Sequence, residues 1–275
     1  MPLPPKRIVP PQPAQTSPAK FSLAPIATSK RGHRIVLYGT GGIGKSTLAC
    51  LLDGSSAFID ADESLGILKS QLIESDIQIP KVVPGVTDWS TLRGALQSDC
   101  FDAMDNIIID TGTKVEEWAV AHTIKTVKHE KPSVTIGSIE DYGFGKGFQH
   151  VFETFMHLLG DLDRHVRAGR NVIIVCHDCT CNVPNPGGTD WLRYEPRLQS
   201  PSSGKASIRL RMKEWADHVL FLGYDVAVGK DKKAEGSGTR TLYSSELPFC
   251  MAKSRTTNEQ FNIEHGVSPW GEIIK

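Results

Sequence analysis

The sequence lacks long hydrophobic runs and contains no aspartate or glutamate before position 53. A typical apolar stretch, residues 172–176, is short, whereas a membrane-spanning helix requires about 20 apolar residues. The first residues, Met-Pro-Leu-Pro-Pro-Lys-Arg, lack the apolar core of a secretory signal. We therefore expect a cytoplasmic protein that has no membrane partner.

Acidic residues are missing from the start of the chain, although the whole chain is neutral, with 31 basic and 31 acidic residues. Lysine or arginine occupies positions 6, 7, 20, 30, 31, 34 and 45. Prolines are dense before position 26, and such a density prevents helix formation and sheet pairing. Residues 1–32 are therefore predicted to form a disordered basic arm, which either contacts a polyanion or keeps the protein soluble.

Cysteines are few for a chain of 275 residues, and they lie at positions 50, 100, 176, 179, 181 and 250. A chain of this size folds without disulfides, so we expect reduced thiols. Cys176, Cys179 and Cys181 lie close to His177, which is a metal-like crowding of ligands. A structural zinc site needs a second ligand pair at matching spacing, and the sequence offers none, so zinc is the weaker interpretation.

Four short apolar runs show no polar alternation and are separated by helical stretches. They cover residues 35–38, 57–60, 106–110 and 172–176. This order predicts a mainly parallel sheet with helices on both faces. The clearest helix covers residues 148–168, where apolar side chains recur every three or four positions. Residues 230–240 predict the tip of a late antiparallel hairpin, within a single α/β domain that covers residues 33–275.

Two later segments allow more than one interpretation. Residues 178–206 are rich in proline, glycine, serine and asparagine, and a connection of this length is usually functional or mobile. Ile208, Leu210 and Met212 alternate with basic residues, which predicts a strand with three cations on one face. A short helix fits the same segment.

A phosphate-binding loop follows the first apolar run and fits the pattern G-x-x-x-x-G-K-[ST]. The loop consists of Gly39, Thr40, Gly41, Gly42, Ile43, Gly44, Lys45 and Ser46, and Thr47 continues into a predicted helix. Its glycines let backbone N–H groups surround phosphate oxygens, and the helix N-terminus adds partial positive charge. We expect Lys45 to reach the β- and γ-phosphates of ATP and the Ser46 hydroxyl to ligate Mg²⁺.

Acidic residues end two of the predicted strands. Asp110 is expected to hold the Mg²⁺ shell, and capping of the next helix is its alternative role. The residue after it is Thr111 rather than glutamate, so the base that activates water must come from elsewhere. Asp60, Asp62 and Glu63 end another strand and should face the same crevice, although at least one of them is expected to cap a helix.

Residues 58–63, Phe-Ile-Asp-Ala-Asp-Glu, resemble the segment that carries the catalytic glutamate in RecA-like recombinases. The resemblance places Asp62 on that glutamate, and Glu63 is the alternative base one position later. His177 resembles the polar residue at a strand end that senses the γ-phosphate in those proteins. A buried, hydrogen-bonded histidine is the alternative.

The chain after the arm resembles a phage-type family of RecA-like AAA nucleotide-binding proteins, some of which act in single-strand annealing. The likeness rests on the phosphate loop and on residues 141–147, 176–178 and 251–255. In RecA-like motors a pair similar to Lys253 and Arg255 reaches the nucleotide of the neighbouring subunit, whereas a surface salt bridge is the alternative for it. The resemblance implies an oligomeric RecA-like ATPase of recombination or annealing, in the cytosol of the phage's host.

Two loops are expected to flank the edge of the sheet where the strands end. They carry cations interleaved with aromatic residues: Lys131, Phe144, Lys146, Trp191, Arg193, Tyr194, Arg197 and Lys205. Bases stack on aromatic rings and phosphates pair with cations, so the pattern suits single-stranded DNA. A flap packed on the core is the alternative for residues 191–194, and the arm is a candidate contact for a single-strand-binding protein.

Two other classes of P-loop protein stay open beside this interpretation. A partitioning ATPase needs a second lysine just before the glycine pair, and Thr40 in that position counts against this class. A small-molecule kinase needs an arginine-bearing lid, for which residues 191–197 are the candidate. Stimulation of hydrolysis by single-stranded DNA distinguishes the first interpretation from both.

Overall fold

A computed structural model describes residues 23, 31–202, 204–228 and 234–275, of which residues 31–275 form one compact unit. The strands are Arg34–Tyr38 (β1), Ser56–Asp60 (β2), Lys81–Val82 (β3), Asn106–Asp110 (β4), Asn171–Cys176 (β5), Asp178–Val183 (β6), Trp191–Pro196 (β7), His218–Val228 (β8), Ala234–Tyr243 (β9) and Gln260–Asn262 (β10). The helices are Lys45–Cys50 (α1), Leu65–Glu74 (α2), Trp89–Gln97 (α3), Gly112–Thr126 (α4), Lys146–Arg167 (α5), Ile208–Trp215 (α6) and Trp270–Ile273 (α7).

The main sheet has the strand order β10-β9-β8-β1-β5-β4-β2-β3. From β3 to β8 along this order the neighbouring strands are parallel, because helical crossovers connect them. β9 pairs antiparallel with β8, and β10 pairs antiparallel with β9. The predicted fold class, a mainly parallel α/β sheet with a late antiparallel hairpin, is confirmed. Of the residues predicted as the hairpin tip, 230–240, residues 234–240 belong to β9 instead, and residues 230–233 lie outside the described residues.

Two apolar cores cover the two faces of this sheet. Val36 and Tyr38 of β1 belong to one core, and Ile35 and Leu37 belong to the other, as the alternation of a strand requires. Helices α3, α4, α5 and α6 contribute to the first core, and α1, α2 and α7 contribute to the second. The parallel strands between them end at one edge, so the residues that follow β1, β2, β4 and β5 meet there.

Helix α6 settles the ambiguous segment that follows position 207. The Ser207 hydroxyl accepts a hydrogen bond from the backbone N–H of Leu210 at 3.1 Å and so caps the start of the helix. Ile208 and Met212 are buried at helical spacing, whereas Leu210 is exposed. The strand with three aligned cations is therefore not formed.

β6 and β7 form a separate antiparallel ribbon, residues 178–196, within the segment that the sequence predicted as a long loop. The ribbon begins at Asp178, directly after His177, and Asp178 is paired with Pro196 at the end of β7. Both ends of the ribbon therefore lie beside the end of β5.

The predicted arm lies outside the described residues, apart from Leu23, Arg31 and Gly32. Gly32 donates its N–H to the Val166 carbonyl at 2.9 Å, and Arg31 forms an ion pair with Asp217 at 2.8 Å. The last two residues assigned to the arm are thus bound to the core. In the described part of the chain, no helix has the length and apolar character needed to cross a membrane.

Candidate nucleotide-binding site

A cavity of about 560 Å³ opens at the edge where β1, β2, β4 and β5 end. Its volume is typical of small-molecule sites, which enclose roughly 300–1,000 Å³. The phosphate loop, the residues after β2, β4 and β5, helix α2 and the segment 263–266 surround it. The polar lining includes Lys45, Ser46, Thr47, Asp62, Asp110, Thr111, His177 and Arg240.

The phosphate loop turns tightly over the end of β1 because its glycines allow close approach and unusual backbone angles. A Cβ at Gly39 would lie 2.2 Å from the Leu222 carbonyl oxygen, a distance that no side chain tolerates. Gly44, directly before α1, has a φ of 102°, in the left-handed region that favours glycine. The loop that the sequence pattern predicted therefore lies between a strand and a helix, as phosphate binding requires.

Lys45 directs its ammonium group over this loop. Nζ donates to the carbonyl oxygens of Gly39 at 2.7 Å and Thr40 at 2.8 Å. Burial lowers the pKa of Lys45, while the charge of Asp110 acts in the opposite direction. The side chain thus brings a buried positive charge to a loop whose N–H groups can surround an anion.

Ser46 and Asp110 form a hydrogen-bonded pair of side chains at the cavity whose oxygens could hold a cation. The Ser46 hydroxyl donates to Asp110 at 2.5 Å, and burial raises the pKa of Asp110 to about 6. A bound cation would favour the ionised carboxylate, and hydroxyl and carboxylate oxygens are hard ligands that suit Mg²⁺. The alternative role of Asp110 does not hold, because the Thr111 side chain caps α4 by accepting from the N–H of Lys114 at 3.2 Å.

The three carboxylates near the end of β2 occupy different environments. Asp60 accepts the backbone N–H groups of the next turn, each at 3.0 Å, and fixes the start of α2. Asp62 lines the cavity, where its Oδ2 lies 3.5 Å from Nε2 of His177. Glu63 is exposed, has a φ of 54° and does not line the cavity. Of the two candidate bases, Asp62 is therefore the one that faces the cavity.

His177 lies at the end of β5 and also lines the cavity. Its backbone N–H donates to Oγ1 of Thr113 at 3.1 Å, which ties it to the start of α4. Burial, followed by the charges of Lys45 and Arg197, lowers the pKa of His177, so the imidazole is neutral near pH 7. A neutral ring carries one donor and one acceptor nitrogen. The side chain is 33% exposed, unlike the buried histidine of the alternative interpretation.

Two parts of the cavity were not predicted. Arg240 of β9 donates from Nη1 to the Ile43 carbonyl at 2.8 Å. Residues 263–266 follow β10, and Nε2 of His265 lies 3.3 Å from the Ser75 hydroxyl at the end of α2. Both reach the cavity through pairing among β8, β9 and β10, and no local sequence pattern marks such an arrangement.

Lys253 and Arg255 lie at the other edge of the sheet, near the start of β8. The Lys253 ammonium donates to three carbonyl oxygens at the end of α6, at distances between 2.7 and 3.4 Å. Arg255 is exposed, and its Nε lies 3.1 Å from Asp217. The two side chains were expected to act together on the nucleotide of a neighbouring subunit. They differ, because the Lys253 ammonium is bound by carbonyl groups of its own chain, whereas Arg255 is exposed to solvent.

Most of the predicted DNA-contacting residues are exposed. They are Lys131, Phe144, Lys146, Trp191, Tyr194, Arg197 and Lys205. Lys146 pairs with Glu130 at 2.7 Å but stays accessible. Tyr194 stacks on Phe221 with ring centroids 5.2 Å apart, so it combines packing on the core with an exposed edge.

Arg193 differs from these exposed residues, because carboxylates neutralise it. Its guanidinium pairs with Glu195 and, at 2.6 Å, with Glu246, and its side chain is 13% exposed. Glu195 also pairs with Arg209 at 2.6 Å. The Arg193 side chain therefore stabilises the ribbon and is not available to phosphates in this arrangement.

The cluster of Cys176, Cys179 and Cys181 is not arranged to bind a metal ion. Cys176 is buried, while Cys179 and Cys181 lie on the ribbon with their Sγ atoms 3.6 Å apart. Arg209 contacts the Cys181 thiol at 2.8 Å. Over the described ranges, no group of three or more His, Cys, Asp or Glu side chains is arranged to hold a metal ion.

A family model described as an AAA domain matches residues 31–256 of this chain. The chain belongs to the AAA domain family. This AAA domain is accordingly of the P-loop ATPase type, and the matched range contains every polar residue that lines the cavity except Glu264 and His265.

Among solved structures, a KaiC-like protein from the hyperthermophilic archaeon Pyrococcus horikoshii is similar to the AAA domain. The two share 13% sequence identity with a TM-score of 0.44, over 85% of this chain and 86% of that chain. No curated protein matches the sequence. Function is therefore inferred from the family and from the residues at the cavity.

Proposed function

We propose that this AAA domain is a RecA-like ATPase that acts as an oligomer on single-stranded DNA, in phage-type recombination or annealing. The observation that carries the proposal is the meeting of Lys45, the Ser46–Asp110 pair, Asp62 and His177 in one cavity. Lys45 and the loop N–H groups bind the phosphates of ATP, and Ser46 and Asp110 hold Mg²⁺. The Asp62 carboxylate and the neutral His177 imidazole then activate the attacking water.

Asp62 is the proposed base for the attacking water. Its carboxylate lies 3.5 Å from Nε2 of His177, and a neutral imidazole can donate a hydrogen bond that orients this carboxylate. Aspartate is one methylene shorter than the glutamate of RecA-like recombinases. A bridging water therefore completes the path from Asp62 to the γ-phosphate in this proposal.

The ribbon supports a link between DNA contact and hydrolysis. It starts directly after His177, and Arg197, directly after its last residue, donates its backbone N–H to the His177 carbonyl at 2.8 Å. Trp191 and Tyr194 on the ribbon are 37% and 43% exposed, which offers stacking surfaces for unpaired bases. A shift of the ribbon on DNA would move the imidazole beside Asp62, so DNA should change the hydrolysis rate.

ATP hydrolysis by the full chain should be measured without DNA, with a single-stranded oligonucleotide and with the duplex of the same sequence. We expect stimulation by the single strand, which weakens as salt is raised because phosphate contacts are screened. Trp191→Ala combined with Tyr194→Ala should lose the stimulation and keep the basal rate. Preference for the duplex would indicate a partitioning ATPase, and indifference to DNA with phosphate transfer to a small molecule would indicate a kinase.

A further inference from the structure

Arg240 brings a second positively charged side chain to the phosphate loop, in addition to Lys45. It lies on β9 opposite Tyr224, and its backbone carbonyl accepts the N–H of Ile263 at 2.8 Å. Backbone contacts on both sides of β9 therefore fix the position of Arg240 in the sheet. Nη1 then reaches the loop and donates to the Ile43 carbonyl at 2.8 Å.

The loop leaves room for this guanidinium. A Cβ at Gly44 would lie 2.5 Å from Nη1 of Arg240, so a larger residue at position 44 would displace the arginine. Arg240 also lines the cavity together with Lys45 and Ser46. Its described hydrogen bond is to a carbonyl rather than a carboxylate, so this contact leaves its positive charge available to an anion. A guanidinium has five N–H donors, and this contact uses one.

We propose that Arg240 is a phosphate-binding residue of this cavity, acting from its own chain beside Lys45. The inference rests on the proposed function, and it assigns the polyphosphate of a nucleoside di- or triphosphate as the ligand of Arg240. One part of the guanidinium holds the outer carbonyl of Ile43, which keeps the loop N–H groups turned inward. The other donors contact phosphate oxygens. Arginine suits this double role because its rigid fork serves two acceptors, which a lysine ammonium does less well.

Isothermal titration calorimetry on the full chain tests this role with ATP, ADP and adenosine as ligands. Arg240→Gln removes the charge and keeps an amide N–H for the Ile43 carbonyl. We expect ATP and ADP affinities to fall roughly tenfold to a hundredfold, the scale of a lost charged hydrogen bond, with adenosine affinity unchanged. Arg240→Lys keeps the charge and should bind ADP more tightly than Arg240→Gln does.

Arg167→Gln is the matched control, because this arginine of α5 has a side chain that is 72% exposed and should leave nucleotide binding unchanged. Thermal unfolding without nucleotide shows whether each variant folds. If Arg240→Gln does not fold, the comparison passes to Arg240→Lys, which should bind ATP more weakly than wild type with the same adenosine affinity.

Wild-type ADP affinity in the Arg240 variants, or an equal loss for adenosine, would overturn the inference. Lys45→Ala distinguishes this failure from failure of the proposed function. If Lys45→Ala binds ATP normally, the nucleotide function itself is wrong. If Lys45→Ala loses ATP binding while the Arg240 variants keep it, the proposed function stands and the role of Arg240 does not.

Discussion

The carboxylates at the edge of the sheet where the cavity opens differ in the groups that they contact. Asp60 accepts two backbone N–H groups at the start of α2, and Asp110 accepts the Ser46 hydroxyl. Asp62 faces the cavity beside the His177 imidazole. These contacts give Asp60 a structural role, suit Asp110 to a cation, and leave Asp62 able to accept a proton.

Asp62→Asn should keep ATP binding and lower turnover by roughly 10²- to 10⁴-fold, because an amide cannot take a proton from water. Glu63→Gln is the control and should hydrolyse ATP near the wild-type rate, since Glu63 does not line the cavity. Single-turnover hydrolysis and nucleotide titration measure both effects. The reverse pattern would make Glu63 the base, and normal rates in both variants would remove water activation from this strand.

Glu116 is a partly buried carboxylate of α4 that does not line the cavity. It accepts the backbone N–H of Gln199 at 2.6 Å, and burial raises the pKa of Glu116 from 4.5 to about 7. The folded protein therefore holds a proton between these two pH values that the unfolded chain releases. Stability from this group is full below about pH 4.5 and is lost as the pH rises through about 7.

Glu116→Gln should remove this pH dependence, because the glutamine carbonyl can accept the Gln199 N–H without a buried charge. The free energy of unfolding of the variant minus that of wild type should therefore increase by on the order of 2 kcal/mol when the pH is raised from about 5 to about 8. Denaturant unfolding at the two pH values provides the measurement. A difference between variant and wild type that does not change with pH would contradict the assignment.

Among the elements, helix α6 offers a structural role for Lys253, which the sequence analysis placed in the chemistry of a neighbouring subunit. Lys253 donates to carbonyl oxygens of Lys213, Glu214 and Ala216, where α6 leaves such groups without partners inside the helix. A cation at this end of a helix also opposes the partial negative charge there. Lys253 is therefore expected to stabilise the junction of α6 with β8.

Lys253→Met should lower the free energy of unfolding by about 1 kcal/mol, the scale of a helix-terminal interaction, and should leave turnover per folded molecule unchanged. Lys128→Met, at an exposed lysine, is the control and should change neither quantity. Denaturant unfolding and hydrolysis assays measure the two effects separately. If Lys253→Met lost turnover and kept its stability, Lys253 would instead act in the active site of a neighbouring subunit.

Elements with local signals were predicted correctly from the sequence. The unbroken apolar runs of β1, β4 and β5, the apolar stripe of α5 and the spacing of the phosphate loop each depend on neighbouring positions alone. The segment after position 207 was ambiguous, because three alternating apolar residues fit a strand or a helix. Ser207, whose hydroxyl caps α6, was the signal that could have decided for the helix.

The parts of the candidate site that sequence analysis missed depend on tertiary pairing. Arg240 reaches the phosphate loop because β9 pairs with β8, which in turn pairs with β1. Lys253 was named from the sequence, but its contact with the end of α6, which depends on its bridge to Val219, was not predicted. Such contacts join residues far apart in the chain, so neither composition nor spacing indicates them.

On the scale of the whole molecule, the phosphate loop and Arg255 lie at opposite ends of β1. The loop follows Tyr38, whereas Asp217, which pairs with Arg255, accepts the backbone N–H of Arg34 at the start of the strand. The strand alone separates these ends by about 13 Å, at roughly 3.3 Å per residue. Arg255 therefore cannot reach the phosphates bound by its own chain, and a contact with nucleotide requires a second chain.

Arg255→Ala should keep ATP binding, because Lys45 and Ser46 are unchanged, and should lose roughly 10³-fold or more in turnover if it acts on a neighbour's nucleotide. Wild-type hydrolysis should then rise faster than linearly with protein concentration near the assembly threshold. Turnover measured across a concentration series, with nucleotide titration alongside, tests both expectations. Linear dependence together with normal turnover of Arg255→Ala would leave Arg255 with its surface pair to Asp217 alone.

Mixing two inactive variants tests the same geometry independently of assembly strength. Arg255→Ala chains keep the phosphate loop, and Lys45→Ala chains keep the arginine, so a mixed assembly contains some composite sites with both groups. Recovery of hydrolysis from the mixture would establish that each active site is built from two chains. Co-assembly, shown by sedimentation, without recovery would mean that Arg255 does not act across the boundary, and the oligomer would then have a role other than completing the site.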